Sequence, residues 1–188
     1  MQMNLRRSVF WITRTAVMTA LLVTVQFLTA SLGNQYVTGS AVNLLLAVSV
    51  LTCGPATGVT VALISPLCAF LVGVGPAFPP LIPFISLGNL TYVVAWFLMG
   101  LLKKSIASGI VSKIVLVLSP VAAAVVKFLT LYSGVVLIAV PYVLELNEKQ
   151  ADLFSLMFSY PQLLTALIGG VLATAVSPTL NKAINARD

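Results

Sequence analysis

Apolar positions along the chain fall into long runs parted by short polar or proline-rich breaks. After Arg6, Arg7 and Arg14, the first run extends from Thr15 to about Leu32. It ends at the polar stretch Gly33-Asn34-Gln35-Tyr36-Val37-Thr38-Gly39-Ser40. A second run, from Ala41 to Cys53, stops at the turn pair Gly54-Pro55 and is short enough to borrow residues from the polar stretch before it. A third covers about Gly58 to Gly73. The segment from Gly75 to Pro83 then carries Pro76, Pro79, Pro80 and Pro83. Each proline lacks an amide donor and clashes with the preceding turn, so a stiff loop or cap is predicted there rather than one regular helix. Runs from about Phe84 to Leu102, from Ile114 to about Val140 with a kink point at Pro120, and from Leu153 to about Val176 complete the set. A membrane-crossing helix takes about 20 apolar residues. The pattern therefore predicts an all-α integral membrane protein, a bundle of six transmembrane helices forming a single domain over residues 1–188.

Composition strengthens this reading. Hydrophobic residues make up 60% of the chain and charged residues only 7%, with a mean hydropathy of +1.09, where soluble domains carry roughly a quarter charged residues. The pI near 9.6 does not point to nucleic acid, because the cations stand at the ends of the runs instead of gathering on one aromatic-studded face. They act as topology markers. With the N-terminus in the cytoplasm, Arg6, Arg7, Arg14, Lys103, Lys104, Lys113, Lys182 and Arg187 all fall on the inner side, and the outer loops keep only Lys149. Three acids, Glu145, Glu148 and Asp152, lie in one outer loop. A multi-pass protein of a bacterial cell membrane with both termini cytoplasmic is predicted. The basic start followed by an apolar run mimics a signal peptide, but no Ala-x-Ala site follows it, so an uncleaved first span is expected.

Catalytic patterns are missing from the sequence. There is no histidine, no paired carboxylate within a run, no Gly-x-Ser-x-Gly elbow and no phosphate-binding Gly-x-x-x-x-Gly-Lys-Ser/Thr loop. Cys53 and Cys68 stand alone in apolar surroundings and suggest neither a disulfide nor a metal site. No cofactor is expected, and ATP-driven work would fall to partner subunits. The informative feature is a gathering of amides, hydroxyls and aromatic rings near the outer ends of the runs, the usual equipment of a small-molecule pocket. Asn34, Gln35, Tyr36, Thr38, Ser40 and Asn43 form one group; Phe78, Asn89, Tyr92, Tyr132, Phe158, Tyr160 and Gln162 lie around the outer half of the other runs. For single members, a polar loop or an interfacial aromatic belt is the competing account.

Lys127 stands fourteen positions beyond Lys113, about 21 Å along a helix, past the middle of the bilayer. A lysine at a helix centre costs about 3 kcal/mol on insertion scales, so it should face the bundle interior. No run holds a carboxylate to pair with it. A ligand anion can satisfy it, and so can snorkelling or hydrogen bonding to Asn89 and free carbonyls. At the inner end of the first run, Ala16 and Ala20 lie four apart on one face and make a shallow strip that another helix can approach closely. Gly169, Gly170 and Ala173 make a second strip, more readily explained by packing within the bundle.

The pattern resembles the substrate-binding S component of an energy-coupling factor (ECF) vitamin transporter. The likeness covers essentially the whole chain: six spans, termini inside, the Ala-x-x-x-Ala element, a long first outer connection and no ATPase motif. Segments such as Val37-Thr38-Gly39-Ser40-Ala41-Val42-Asn43 and Phe158-Ser159-Tyr160-Pro161-Gln162-Leu163 also look like that group. The resemblance implies that Ala16 and Ala20 dock on a transmembrane coupling subunit driven by two ATPase subunits, and that the bundle topples in the membrane to carry its ligand inward. It also implies ligand contacts among Asn34 to Asn43, Asn89, Lys127, Tyr132 and Gln162. A lone embedded lysine among amides and hydroxyls favours pantothenate, with cobalamin second. Riboflavin lacks its aromatic stack here, and thiamine lacks an intramembrane acid. The alternatives are an ion-coupled secondary transporter, which ordinarily places an acid inside a span, and a membrane assembly protein without a ligand.

Overall fold

The computed structural model describes the backbone of residues 2–106 and 109–185 and the side chains of residues 8–106 and 109–184. The side chains of Arg6 and Arg7, and Arg187, counted above as topology markers, lie outside the described residues. Among the described residues every regular element is helical: α1 (Gln2–Ala30), α2 (Gln35–Cys53), α3 (Pro55–Leu71), a 3-10 turn (Pro79–Leu81), α4 (Ile82–Ser105), α5 (Gly109–Leu131), a π-helical segment (Tyr132–Ala139), the short turn α6 (Val140–Tyr142), α7 (Glu148–Met157) and α8 (Tyr160–Asn185). Five stretches are long and apolar enough to cross a membrane: Ser8–Ala30, Gln35–Cys53, Pro79–Ser105, Gly109–Tyr142 and Glu148–Ile184. The shorter Pro55–Leu71 helix has 17 residues.

The polar stretch after the first run is helix, not loop. Asn34 takes an extended conformation, and its side-chain oxygen accepts from the backbone amides of Tyr36 and Val37, which caps α2 at Gln35. The connection between α1 and α2 therefore shrinks to four residues, 31–34. This corrects the long first connection that the family resemblance implies. At the other end of α2, Gly54 (φ +92°) makes the whole turn into α3, with Pro55 in the first helical position. The two helices run antiparallel: a Cβ at Gly58 would press on Val50 near the turn, while Asn43 and Ser65 meet across one cavity far from it.

The last predicted span is split. Pro161 has no amide to offer the carbonyl of Met157, four residues back, and the chain breaks at residues 158–159 into α7 and α8. α7 is a surface helix fixed by a capping box between Asn147 and Gln150, and none of its residues is fully buried. The fifth run continues through Pro120 as helix and changes to π geometry at Tyr132, which the hydrophobic pattern did not signal. Close packing with α4 accompanies the change, since a Cβ at Gly134 would lie 2.9 Å from the Phe84 ring.

α2 is the central helix and packs against α8, α3, α1 and α4. Small residues let it approach α8 closely. A Cβ at Gly169 would sit 2.6 Å from the Ser40 carbonyl oxygen and 2.7 Å from the Leu44 nitrogen. Leu22, Leu46, Val61, Tyr92, Trp96 and Ala166 fill the main core; a second cluster around Leu81, Leu131, Val135 and Phe158 lies under α7. The periphery carries many exposed large apolar side chains, among them Val17, Leu98, Val117, Leu137 and Ile168, as a lipid-facing surface requires.

Charge divides the bundle end from end. Arg14 and Lys104 line one cleft with Gly54. Lys103 lines another with Asn181, whose side chain reaches the Leu51 carbonyl and so brings Lys182 to the same end. Glu145, Glu148 and Asp152 stand near α7, beside the second cluster.

Candidate ligand-binding site

Opposite the cationic end, seven helices contribute to the wall of a cavity of about 230 Å³. Its floor is a buried polar network. Lys127 on α5 is 3% exposed, so the snorkelling alternative does not apply. Its Nζ donates to Asn43 Oδ1 on α2 at 2.6 Å and to Asn89 Oδ1 on α4 at 2.7 Å, and it lies 5.4 Å from the centre of the Tyr92 ring. Asn43 is itself held by Thr165 on α8 through a 3.4 Å contact from Nδ2 to Oγ1. Thr165 in turn donates to the Gln162 carbonyl. The Tyr92 hydroxyl donates to the Ala166 carbonyl at 3.0 Å. Charge-assisted bonds as short as these fix the ammonium in place. Two neutral amides solvate the charge without neutralising it, and Lys127 remains the cavity's one charged lining residue. The lysine thus presents a fixed positive potential inside an apolar body, where it is screened little.

The mouth is held by hydrogen bonds that follow from the break at Pro161. Met157's carbonyl, left without its helical partner, accepts from Gln35 Nε2 at 2.7 Å and from Gln162 Nε2 at 3.2 Å. These two glutamines therefore line the cavity while tying α2 and α8 to the corner after α7. Across from them, the loop after α3 folds back on its own helix. A Cβ at Gly75 would lie 2.4 Å from the Phe70 nitrogen, so only glycine fits there. Val74, Gly75 and Pro76 form that part of the wall.

No family model, no curated protein and no solved structure matches this chain. Its function must be argued from this cavity.

Of the residues proposed from sequence, Gln35, Thr38, Asn43, Asn89, Lys127, Phe158 and Gln162 meet in the cavity wall. Seven others do not line it, Tyr92 among them, which is buried in the main core. Asn34 is spent on the α2 cap and is exposed. Tyr36, Tyr132 and Tyr160 are exposed on the periphery, with Tyr132 set against Phe128. Ser40 is buried against α8, and Phe78 packs edge-on against Phe154 in the second cluster. Ala16 and Ala20 are exposed on α1, whereas Gly169 and Gly170 are buried against α2 and against Tyr92, Trp96 and Pro120. The second small-residue strip is internal packing; the first is not.

Two wall residues escaped the sequence reading. Ser65 on α3 is 1% exposed, and its hydroxyl has no hydrogen-bond partner. Gln26 on α1 places a buried Oε1 in the wall, also unpartnered. A buried polar atom without a partner costs about 1–3 kcal/mol, and native interiors hold few of them. A signal for Gln26 was present, as the one amide in the apolar run from Thr15 to Leu32. Ser65 had none, because a serine inside an apolar helix usually bonds to its own backbone.

Proposed function

We propose that the chain is the substrate-binding component of an energy-coupling factor transporter, set in a bacterial cell membrane as six spans with both termini cytoplasmic. Its ligand is a small water-soluble vitamin bearing a carboxylate, with pantothenate ahead of cobalamin. The observation that carries the reading is the cavity at the end away from the cations, with Lys127 as its single charged lining residue. An ammonium held by two neutral amides beside the Tyr92 ring keeps its charge unneutralised, and a ligand anion would neutralise it. The positive-inside rule sets the lysine- and arginine-bearing end in the cytoplasm, which turns the cavity mouth outward. α3, at 17 residues, meets the lower limit for a spanning helix and supplies the sixth crossing.

Size favours the smaller vitamin. Pockets for drug-sized ligands hold roughly 300–1,000 Å³. A cavity of about 230 Å³ admits pantothenate with slight movement of the flanking loop, but cobalamin only after expanding several-fold. An ion-coupled carrier is less well supported, because Glu145, Glu148 and Asp152 all lie at or before α7 and none lines the cavity. The test is to purify the chain in detergent and measure its thermal unfolding with a panel of vitamins. A ligand at 100 times its Kd stabilises a protein by about 2.7 kcal/mol, so pantothenate is expected to raise the Tm by several degrees while thiamine leaves it unchanged. Stabilisation by thiamine alone would contradict the reading.

The exposed Ala16 and Ala20 support the docking role. Thr13 and Thr24 continue the same outward face at helical spacing, so a narrow, shallow strip runs along α1 where a coupling subunit's helix can lie close. The expected partners are that coupling subunit and two ATPase subunits. The double substitution Ala16→Leu with Ala20→Leu is expected to abolish vitamin uptake in cells carrying those partners, with vitamin binding by the purified chain unchanged. Loss of binding would instead assign the alanines to the architecture of the bundle.

A further inference from the structure

The cavity has two chemically different walls. On one, Lys127 presents an ammonium backed by Asn43 and Asn89. On the other, Ser65 Oγ and Gln26 Oε1 have no partner. Lys127 is on α5, which packs on α4 and α8, whereas Gln26 and Ser65 are on α1 and α3, which pack on each other and on α2. Gln35 and Gln162 each commit an Nε2 N–H to the Met157 carbonyl, which ties those two side chains to the mouth. An ammonium can only donate, and an amide oxygen can only accept. Taking the receptor reading as its basis, we infer that this site selects a small monocarboxylate whose far end carries a hydroxyl donor. Lys127 reads the carboxylate, and Gln26 and Ser65 read the donor.

Selectivity follows from the same imbalance. A simple fatty acid of equal length would pair with Lys127 but leave Gln26 Oε1 and Ser65 Oγ unsatisfied. Sites built to hydrogen-bond a group reject analogues that lack it far more strongly than apolar pockets reject a missing methylene. Ser65 and Gln26 are thus specificity residues and have no part in holding the fold.

The test compares two probes, pantothenate and its analogue with both hydroxyls replaced by hydrogen, on the full-length chain and on Ser65→Ala and Gln26→Leu. The unmodified chain is expected to bind pantothenate at least 10-fold more tightly than the analogue. Each variant should lose at least 5-fold in affinity for pantothenate and keep its affinity for the analogue. Removing an unpartnered hydroxyl leaves nothing newly unsatisfied, so the ligand-free Tm of Ser65→Ala should stay level or rise, where a structural hydroxyl would lower it. Equal affinity of the unmodified chain for the two probes overturns the two-wall inference and leaves the carboxylate receptor standing. A parallel loss for both probes in the variants overturns it as well. Binding of neither probe overturns the receptor reading together with the inference.

Discussion

Replacing Lys127 with methionine is expected to weaken binding of an anionic vitamin by at least about 100-fold while the bundle stays folded. The argument rests on what each state leaves unpaired. In the ligand-bound site, loss of the ammonium strands a buried carboxylate, and breaking one side of a buried ion pair costs about 3–5 kcal/mol, or more than two factors of ten. In the ligand-free site the same change removes a charge whose two partners are neutral amides. Methionine has a similar length and an apolar, flexible stem that fills irregular space. Asn43 keeps its Nδ2 contact with Thr165 but loses the donor to its buried Oδ1, a cost of about 1–3 kcal/mol, while Asn89 can turn towards the cavity it already lines. Calorimetric titration of the purified variant supplies the affinity, and thermal unfolding without ligand supplies the stability. Unchanged affinity would remove Lys127 from the site. A collapse in ligand-free stability would make it a structural strut between α2, α4 and α5.

The second large effect lies at the α2–α8 contact. Gly169→Leu is expected to destabilise the protein by about 3 kcal/mol or more and to remove ligand binding with it. The first added carbon alone would meet the Ser40 carbonyl oxygen at 2.6 Å, Asn43 Cβ at 2.7 Å and the Leu44 nitrogen at 2.7 Å. Two of these are backbone atoms of the central helix, which cannot turn aside as a side-chain tip can. Overpacking of a filled interior costs about 1–3 kcal/mol per site, and here relief requires two helices to separate. Asn43 is one of the atoms' owners, so the separation also pulls an amide from Lys127. Denaturant or thermal unfolding in detergent, with binding measured on the folded fraction, checks this. Gly100→Leu is the matched control, because a Cβ at Gly100 meets nothing within 4 Å, and it should change stability little.

Much of the architecture could be read from residue order. Runs of apolar residues gave helices at the right places, Gly54-Pro55 gave the turn, and the isolated Lys127 gave the expectation of an inward-facing charge with Asn89 beside it. Asn34 caps a helix that begins inside the polar stretch, the borrowing that the shortness of the second run called for. One boundary was misjudged for a local reason. Pro161 ends one helix and opens another within an apolar stretch, so hydropathy merged them. The candidate site was legible in half. Polarity picked out Thr38, Asn43, Asn89 and Lys127, which line the cavity, but the same criterion also selected Tyr36, Tyr132 and Tyr160, which face outward.

That division has a physical origin. Membrane residence, helix content and the segregation of cations depend on local transfer free energies, each fixed by a residue and its near neighbours along the chain, and the amino-acid order determines them by itself. Which polar atoms face one another depends on the rotation and depth of each helix against the others. Helix rotation is set by close contacts such as Gly39 on Thr165 and Gly169 on Asn43, which join residues more than a hundred positions apart. Only the packed bundle could decide that Asn43, Asn89 and Lys127 meet, that Gln35 and Gln162 spend their amides on one carbonyl, and that Ser65 and Gln26 are left without partners in the opposite wall.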